Sequence, residues 1–287
     1  MSEARRDKFS LLCHVWELAW PYGGDAGGQA LNGPGQPATR PLLPTTVRPL
    51  AAAIVVVCVL VIAVQAVWIG HGMETGWLDT AVDAKVKASL GAHPLLLAVL
   101  VWPGAPVPLA VMATALALAC ILRHRYGGAA LVAISVPLAT AITELVLKPL
   151  IGGTSWGSPF PSGHVTGVVA LTTALTVLLG RRPARISRQL CLVFSITAFL
   201  AAAAVAVGVI GANMHHFSDT VGGAAVGTGT VLLTALTLDL VSRWHSERRG
   251  EPQAGDAGVG PGGGAAMSFH VKLVFEYADN RFDLLPQ

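Results

Sequence analysis

Long apolar runs separated by short polar knots dominate this chain. Leu50 to Ile69 is twenty residues without a charge, enough for a helix to cross about 30 Å of hydrocarbon. Residues 94–122 are also apolar but carry Pro103, Pro106 and Pro108, which cannot continue a helical hydrogen-bond ladder. They read as a short dipping segment up to Trp102, then a spanning helix from 105 to 122. Further spans are expected over 128–147, 164–180, 189–210 and 217–240, six in all. The pattern predicts an all-α bundle of six transmembrane helices.

The flanks read differently. Residues 1–49 are rich in Gly and Pro and are expected to be a disordered tail, with helical spacing of Phe9, Leu12, Val15, Trp16 and Ala19 marking an interfacial helix near 8–20. They lack the basic, apolar, small-residue order of a cleaved signal peptide, so the first span is expected to be a retained anchor. The polar connection 70–93 holds Trp77, Leu78, Ala81 and Val82, the makings of a surface helix. Residues 243–287 form a Gly-rich linker and a tail, where Val271, Leu273 and Phe275 alternate with Lys272, Val274 and Glu276 as in an isolated strand. The division is thus a tail over 1–49, a membrane domain over 50–242 and a linker with tail over 243–287.

Composition sharpens this picture. Hydrophobic residues make up 53% and charged ones 12%, against about 25% charged in soluble chains, and the mean hydropathy is +0.61. The four cysteines show no Cys-x-x-Cys spacing and no disulfide or zinc framework. Where the cations sit matters more than the net charge of +3. Nine arginines fall in the short connections 123–127, 181–188 and 243–249, whereas the opposite connections hold Lys85, Lys87 and Lys148. By the positive-inside rule the arginine-rich side and both termini are cytoplasmic.

Two polar knots then face outward. The first, Lys148 to His164, contains Pro161-Ser162-Gly163-His164 where the fourth span begins. A helix starting there aims free N–H groups and a positive dipole end at the loop, and Gly163 lets a ligand approach the backbone. Ser162 acting merely as a helix N-cap accounts for the tetrapeptide equally well. The second knot is Asn213-Met214-His215-His216-Phe217-Ser218-Asp219. His215 and Asp219, four apart, share a helix face, so Asp219 can hold the imidazole in one tautomer and leave its other nitrogen free to attack phosphorus. The alternative is a capping aspartate beside interfacial histidines, and His216 is a rival nucleophile. Lys148, one turn after Glu144, is either a phosphate ligand or an ion-pair partner. Taken together, Lys148, His164, His215 and Asp219 stand at the outward ends of three spans, where ionisable groups are functional candidates.

This constellation resembles the type 2 phosphatidic acid phosphatase family, which shares its site with vanadium haloperoxidases. The family signature is a lysine followed by Arg-Pro, then Pro-Ser-Gly-His, then Ser-Arg, five residues, His, three residues and Asp. The resemblance covers a phosphatase-like core at 94–241. It implies that His215 is the nucleophile, Asp219 its orienter and His164 the general acid. Lys148 and the Ser162 and Gly163 amides would hold phosphate oxygens. It implies no metal and no cofactor, and as partners a lipid phosphate substrate and the bilayer rather than nucleic acid.

The chain departs from the signature at both arginines. Ser155-Trp156 stands where the family has Arg-Pro, and Gly208-Val209 where it has Ser-Arg. A lost charge-assisted contact costs about 1.5–3 kcal/mol, so two imply a rate lower by roughly 10²–10⁴. Two readings follow. One is a membrane phosphatase acting on a lipid phosphomonoester or pyrophosphate at the outer face. The other is an impaired relative that binds lipid phosphates without efficient turnover. A transport role would rest on Glu144 alone.

Overall fold

A computed structural model describes residues 41–71, 76–151, 160–181 and 187–248. Two compact units divide the chain, Met1–Ser246 and Glu247–Gln287, and the candidate site residues all fall in the first. The expected interfacial helix near 8–20, the strand around Val271 and the Ser155-Trp156 departure lie outside the described residues. Every regular element among the described residues is helical. In chain order these are α1 (Arg48–Gly70), α2 (Trp77–Leu90), α3 (Pro94–Val101), a 3₁₀ turn (Trp102–Gly104), α4 (Pro106–Leu122) and α5 (Tyr126–Ala141). A π-turn (Ile142–Leu147) leads from α5 into α6 (Lys148–Ile151), and α7 (Gly163–Gly180), α8 (Arg188–Gly211) and α9 (Phe217–Arg248) follow.

The prolines set several of these boundaries. Pro94 and Pro106 sit in the first turns of α3 and α4, where a missing N–H costs no hydrogen bond and the fixed φ suits the helix. Among the described residues, five helices are long and apolar enough to cross a membrane: α1, α5 with its continuation to Ile151, α7, α8 and α9. α4 has 17 residues, at the lower end of the spanning range. α2 and the segment Pro94–Gly104 are bent against each other by 119° and together pass as one broken span or a re-entrant element. Exposed Val56, Val59, Leu60 and Val64 on α1 would be costly in water but suit a lipid-facing surface. This chain is an all-α, multi-pass membrane bundle.

α7 is its central column. Two-thirds of its most apolar window is buried (67%), against 11% for α1. Gly167 takes the Leu109 side chain of α4, and Thr143 of the π-turn donates its hydroxyl to Thr166 Oγ1 at 3.1 Å. Gly223 and Gly227 of α9 bring the two backbones almost into contact: a methyl on Gly223 would lie 2.6 Å from the Ser162 carbonyl, and one on Gly227 2.6 Å from the Thr166 carbonyl. Small residues four apart permit such close approach between membrane helices. Because backbone atoms are the obstacle, Gly227→Leu should lower stability by about 1–3 kcal/mol, read as a drop in thermal unfolding temperature in detergent.

The end of the bundle away from the candidate site is tied by one carboxylate. Asp239 of α9 accepts the Leu42 N–H, the Leu43 N–H at 2.9 Å and Arg48 Nη2 at 3.1 Å. Arg48 Nε also donates to the Leu43 carbonyl at 3.2 Å. Leu42, Leu43 and Val47 are buried, although sequence placed them in the N-terminal tail. Apolar side chains at 42, 43 and 47 gave too short a pattern to be read, and their partner lies some two hundred residues away.

Candidate active site

The two polar knots meet at the opposite end of the bundle. The chain leaves α8 through Asn213, whose φ of 57° is a left-handed conformation that asparagine tolerates. That reversal lets the Met214 and His215 N–H groups both point at the Val209 carbonyl, at 3.0 and 3.4 Å. α9 then starts after His216. The first knot enters α7 through a cis Phe160–Pro161 bond, and the Ser162 N–H donates to the Asp219 carbonyl at 3.0 Å. This one bond couples the Pro-Ser-Gly-His turn to the His-His turn.

Asp219 serves two side chains at once. Its Oδ2 accepts the His216 N–H at 2.8 Å, the bond by which a third-position acid caps its own helix. The same oxygen lies 3.5 Å from His215 Nδ1, near enough for an ion pair though too long and misaligned for a hydrogen bond. The capping and orienting readings of Asp219 therefore coexist. Both side chains are secluded, His215 10% and Asp219 4% exposed. His164 lies within Coulombic reach of His215, Lys148 and Glu144, so the two imidazoles and the lysine share one locale.

Two buried polar atoms in this locale have no hydrogen-bond partner, Ser162 Oγ and His215 Nδ1. Ser162 is fully buried and stands at the N-cap of α7 without making the side-chain capping bond, so its hydroxyl does not perform the plain structural role. Unsatisfied buried polar groups are rare in folded proteins and call for an explanation. The Ser162 amide, expected to hold a phosphate oxygen, is instead committed to the Asp219 carbonyl. Gly163, at the start of α7, has its Cα face covered by the Glu144 carboxylate. Lys148 Nζ donates to both oxygens of that carboxylate, at 2.8 and 2.7 Å, so the ion-pair reading of Lys148 is realised. Val209, where the resemblance led to the expectation of a second arginine, is fully buried in the hydrophobic core.

Sequence reasoning missed the carboxylates on α2. Asp83 Oδ2 lies 2.7 Å from His216 Nδ1 and its Oδ1 accepts the Phe217 N–H at 3.2 Å. Asp79 accepts the Ser218 N–H at 2.7 Å and the Ser218 hydroxyl at 3.0 Å. Gln65 of α1 donates to the Ser218 carbonyl at 3.0 Å. With Asp219 on the His216 amide, three carboxylates satisfy the orphan donors and dipole of α9's first turn. The His216 ring is thus engaged by Asp83. Spacing four on a surface helix, Asp79 to Asp83, was the available signal, but nothing local tied it to residues 130 positions later. Asp83→Ala should leave Phe217 N–H unpaired and loosen the turn bearing His215; kcat is expected to fall about tenfold or more with KM changing less, and Asp83→Asn to recover part of it. Equal loss in KM and kcat would contradict a positioning role.

Among the described residues no three His, Cys, Asp or Glu side chains converge as a metal would require. What the geometry defines is a helical membrane protein with a His–His–Asp cluster and a lysine at one end of the bundle. Residues 108–243 match the family model described as the PAP2 superfamily, so this stretch of the helical core is similar to the type 2 phosphatidic acid phosphatase-like proteins. The match runs from the first turn of α4 into α9; α1 to α3, with Asp79 and Asp83, precede it. Neither the curated proteins nor the solved structures give a match.

Proposed function

We propose that this protein is a lipid phosphate phosphatase that hydrolyses a phosphomonoester or pyrophosphate on a lipid by double displacement through His215. The reading rests on the pairing of His215 with Asp219 beside His164 and Lys148, in a core that matches a phosphatase superfamily. His215 Nδ1 faces Asp219, so a proton on Nδ1 leaves the Nε2 lone pair for attack. In the first step the Nε2–P bond forms and the bond from phosphorus to the leaving oxygen breaks, with a proton from His164 going to that oxygen. In the second, water attacks phosphorus and gives its proton to His164, the P–N bond breaks and phosphate departs. Lys148 and the first-turn amides of α7 stabilise the charge on the equatorial oxygens.

The arginine-bearing connections mark one end of the bundle: Arg181 closes α7 and Arg125 donates to the Arg181 carbonyl at 3.3 Å, a helix length of about 27 Å from His164. With that end cytoplasmic, the His–His–Asp site opens on the outer face.

A second reading is favoured by two observations: Lys148 is held by Glu144, and Val209 is core-buried. On it the protein binds lipid phosphates with little turnover. The two separate cleanly. Incubating purified protein with a lipid whose phosphate is radiolabelled and quenching in base should trap label on the wild-type chain, base-stable and acid-labile as a phosphohistidine is, and none on His215→Ala. Binding of the lipid phosphate without any label on the wild type would leave the second reading.

A further inference from the structure

Glu144 is the one charge inside the fifth helix and its continuation that the reaction scheme does not use, and its position is unusual. The π-turn carries it to the N-terminal end of α7, where its carboxylate rests on Gly163 so closely that any side chain there would overlap it. Both its oxygens are bonded to Lys148 Nζ, at 2.8 and 2.7 Å, and its charge acts on His164. It therefore touches the residues that a phosphate would have to contact. No other cation stands by to share the load: from Gly70 to His164 the outward segments contain only Lys85, Lys87 and Lys148 among lysines and arginines. The glutamate side chain is 41% exposed, so it has a way out into solvent.

We propose that Glu144 is a built-in competing anion that holds Lys148 and the mouth of α7, so that a phosphate binds only by displacing it and every phosphate ligand is weakened by the same factor. This rests on the reading of Lys148 and the α7 N-terminus as the phosphate site. The physical reason is competition for one cation and one helix terminus. A singly charged ligand that displaces the carboxylate exchanges one unit of negative charge beside Lys148 for another, with no net electrostatic gain. A terminal phosphate with two charges attracts the freed ammonium and the helix dipole more strongly than the carboxylate does. The cost of displacing the carboxylate is common to both ligands and cancels from their ratio, so Glu144 weakens both alike and a neutral amide at position 144 relieves both.

The test uses the full-length chain in detergent or nanodiscs at pH 8, with inorganic phosphate as the mostly doubly charged probe and dimethyl phosphate as the singly charged one. Binding is read by broadening of the probes' ³¹P resonances. Wild type should bind phosphate and discriminate against dimethyl phosphate. Glu144→Gln should tighten both probes by about tenfold, the worth of one charge-assisted hydrogen bond, without narrowing the ratio between them. Adding Lys148→Met to Glu144→Gln should cancel that gain. Gly163→Ala, whose new methyl would overlap the carboxylate, offers the same release should the Gln variant not fold. Unchanged affinities in Glu144→Gln, with wild type still binding phosphate and turning over a lipid phosphate, would overturn the gate and leave the phosphatase reading intact. Failure of the wild type and of both variants to bind either probe, with no turnover, would remove both.

Discussion

Replacing His215 with alanine lowers kcat for a lipid phosphate by about three orders of magnitude or more, a loss of about 4 kcal/mol in transition-state stabilisation. The expectation is large because no other imidazole can take over: His216 is held at 2.7 Å by Asp83, and His164 is needed as the acid. His164→Ala gives a different signature. With an alcohol leaving group the first step slows by about 10²–10⁴, but with a good leaving group such as a nitrophenolate the first step recovers, and phosphorylated His215 accumulates because the second step still lacks its base. The two variants are distinguished by steady-state rates with both substrates and by the level of labelled protein. Comparable rates for wild type and His215→Ala with any substrate would eliminate the phosphohistidine route.

The largest effect on stability is expected at the far end of the bundle. Asp239→Ala removes the acceptor for two buried backbone amides and the counter-charge of Arg48, which is itself only 16% exposed. Removing one partner of a buried ion pair costs about 3–5 kcal/mol, because the surviving charge stays uncompensated. The variant should melt well below wild type in detergent, and limited proteolysis should newly cut near residues 41–47. Asp239→Asn, which keeps an acceptor for one amide while losing the charge, should lie between the two. Since Asp239 and His164 sit at opposite ends of the bundle, the residual folded fraction should keep its KM. A change in KM at constant folded fraction would show the two ends to be coupled.

The fold was legible because its determinants are local. A twenty-residue run without charge specifies a membrane helix whatever surrounds it, since lipid leaves the backbone no other way to satisfy its hydrogen bonds. Prolines at 94 and 106 likewise mark helix starts from their own covalent structure. Two segments fall short of a full straight span: α4 has 17 residues, and the helix Trp77–Leu90 in the polar connection is bent by 119° against Pro94–Gly104. At the site, spacing four between His215 and Asp219 was readable as one helix face, as was that between Glu144 and Lys148. Which of two equally good roles each pair plays was not. Structure shows the Asp219 carboxylate capping α9 and facing His215 together, the Ser162 amide already spent on Asp219, and Lys148 committed to Glu144.

By itself, then, the amino-acid sequence determined the apolar spans, their prolines and the distribution of arginines, all set by residues within a turn or two of one another. It also determined the two polar knots. Only the tertiary structure decided that Asp79 and Asp83 clasp the His-His turn, that Asp239 anchors residues 42 and 43, and that a carboxylate stands over Gly163. These are contacts between segments up to some two hundred residues apart. Hydrogen bonds of that kind depend on where whole helices pack, and packing is fixed by the summed shape of their faces rather than by any short run of residues.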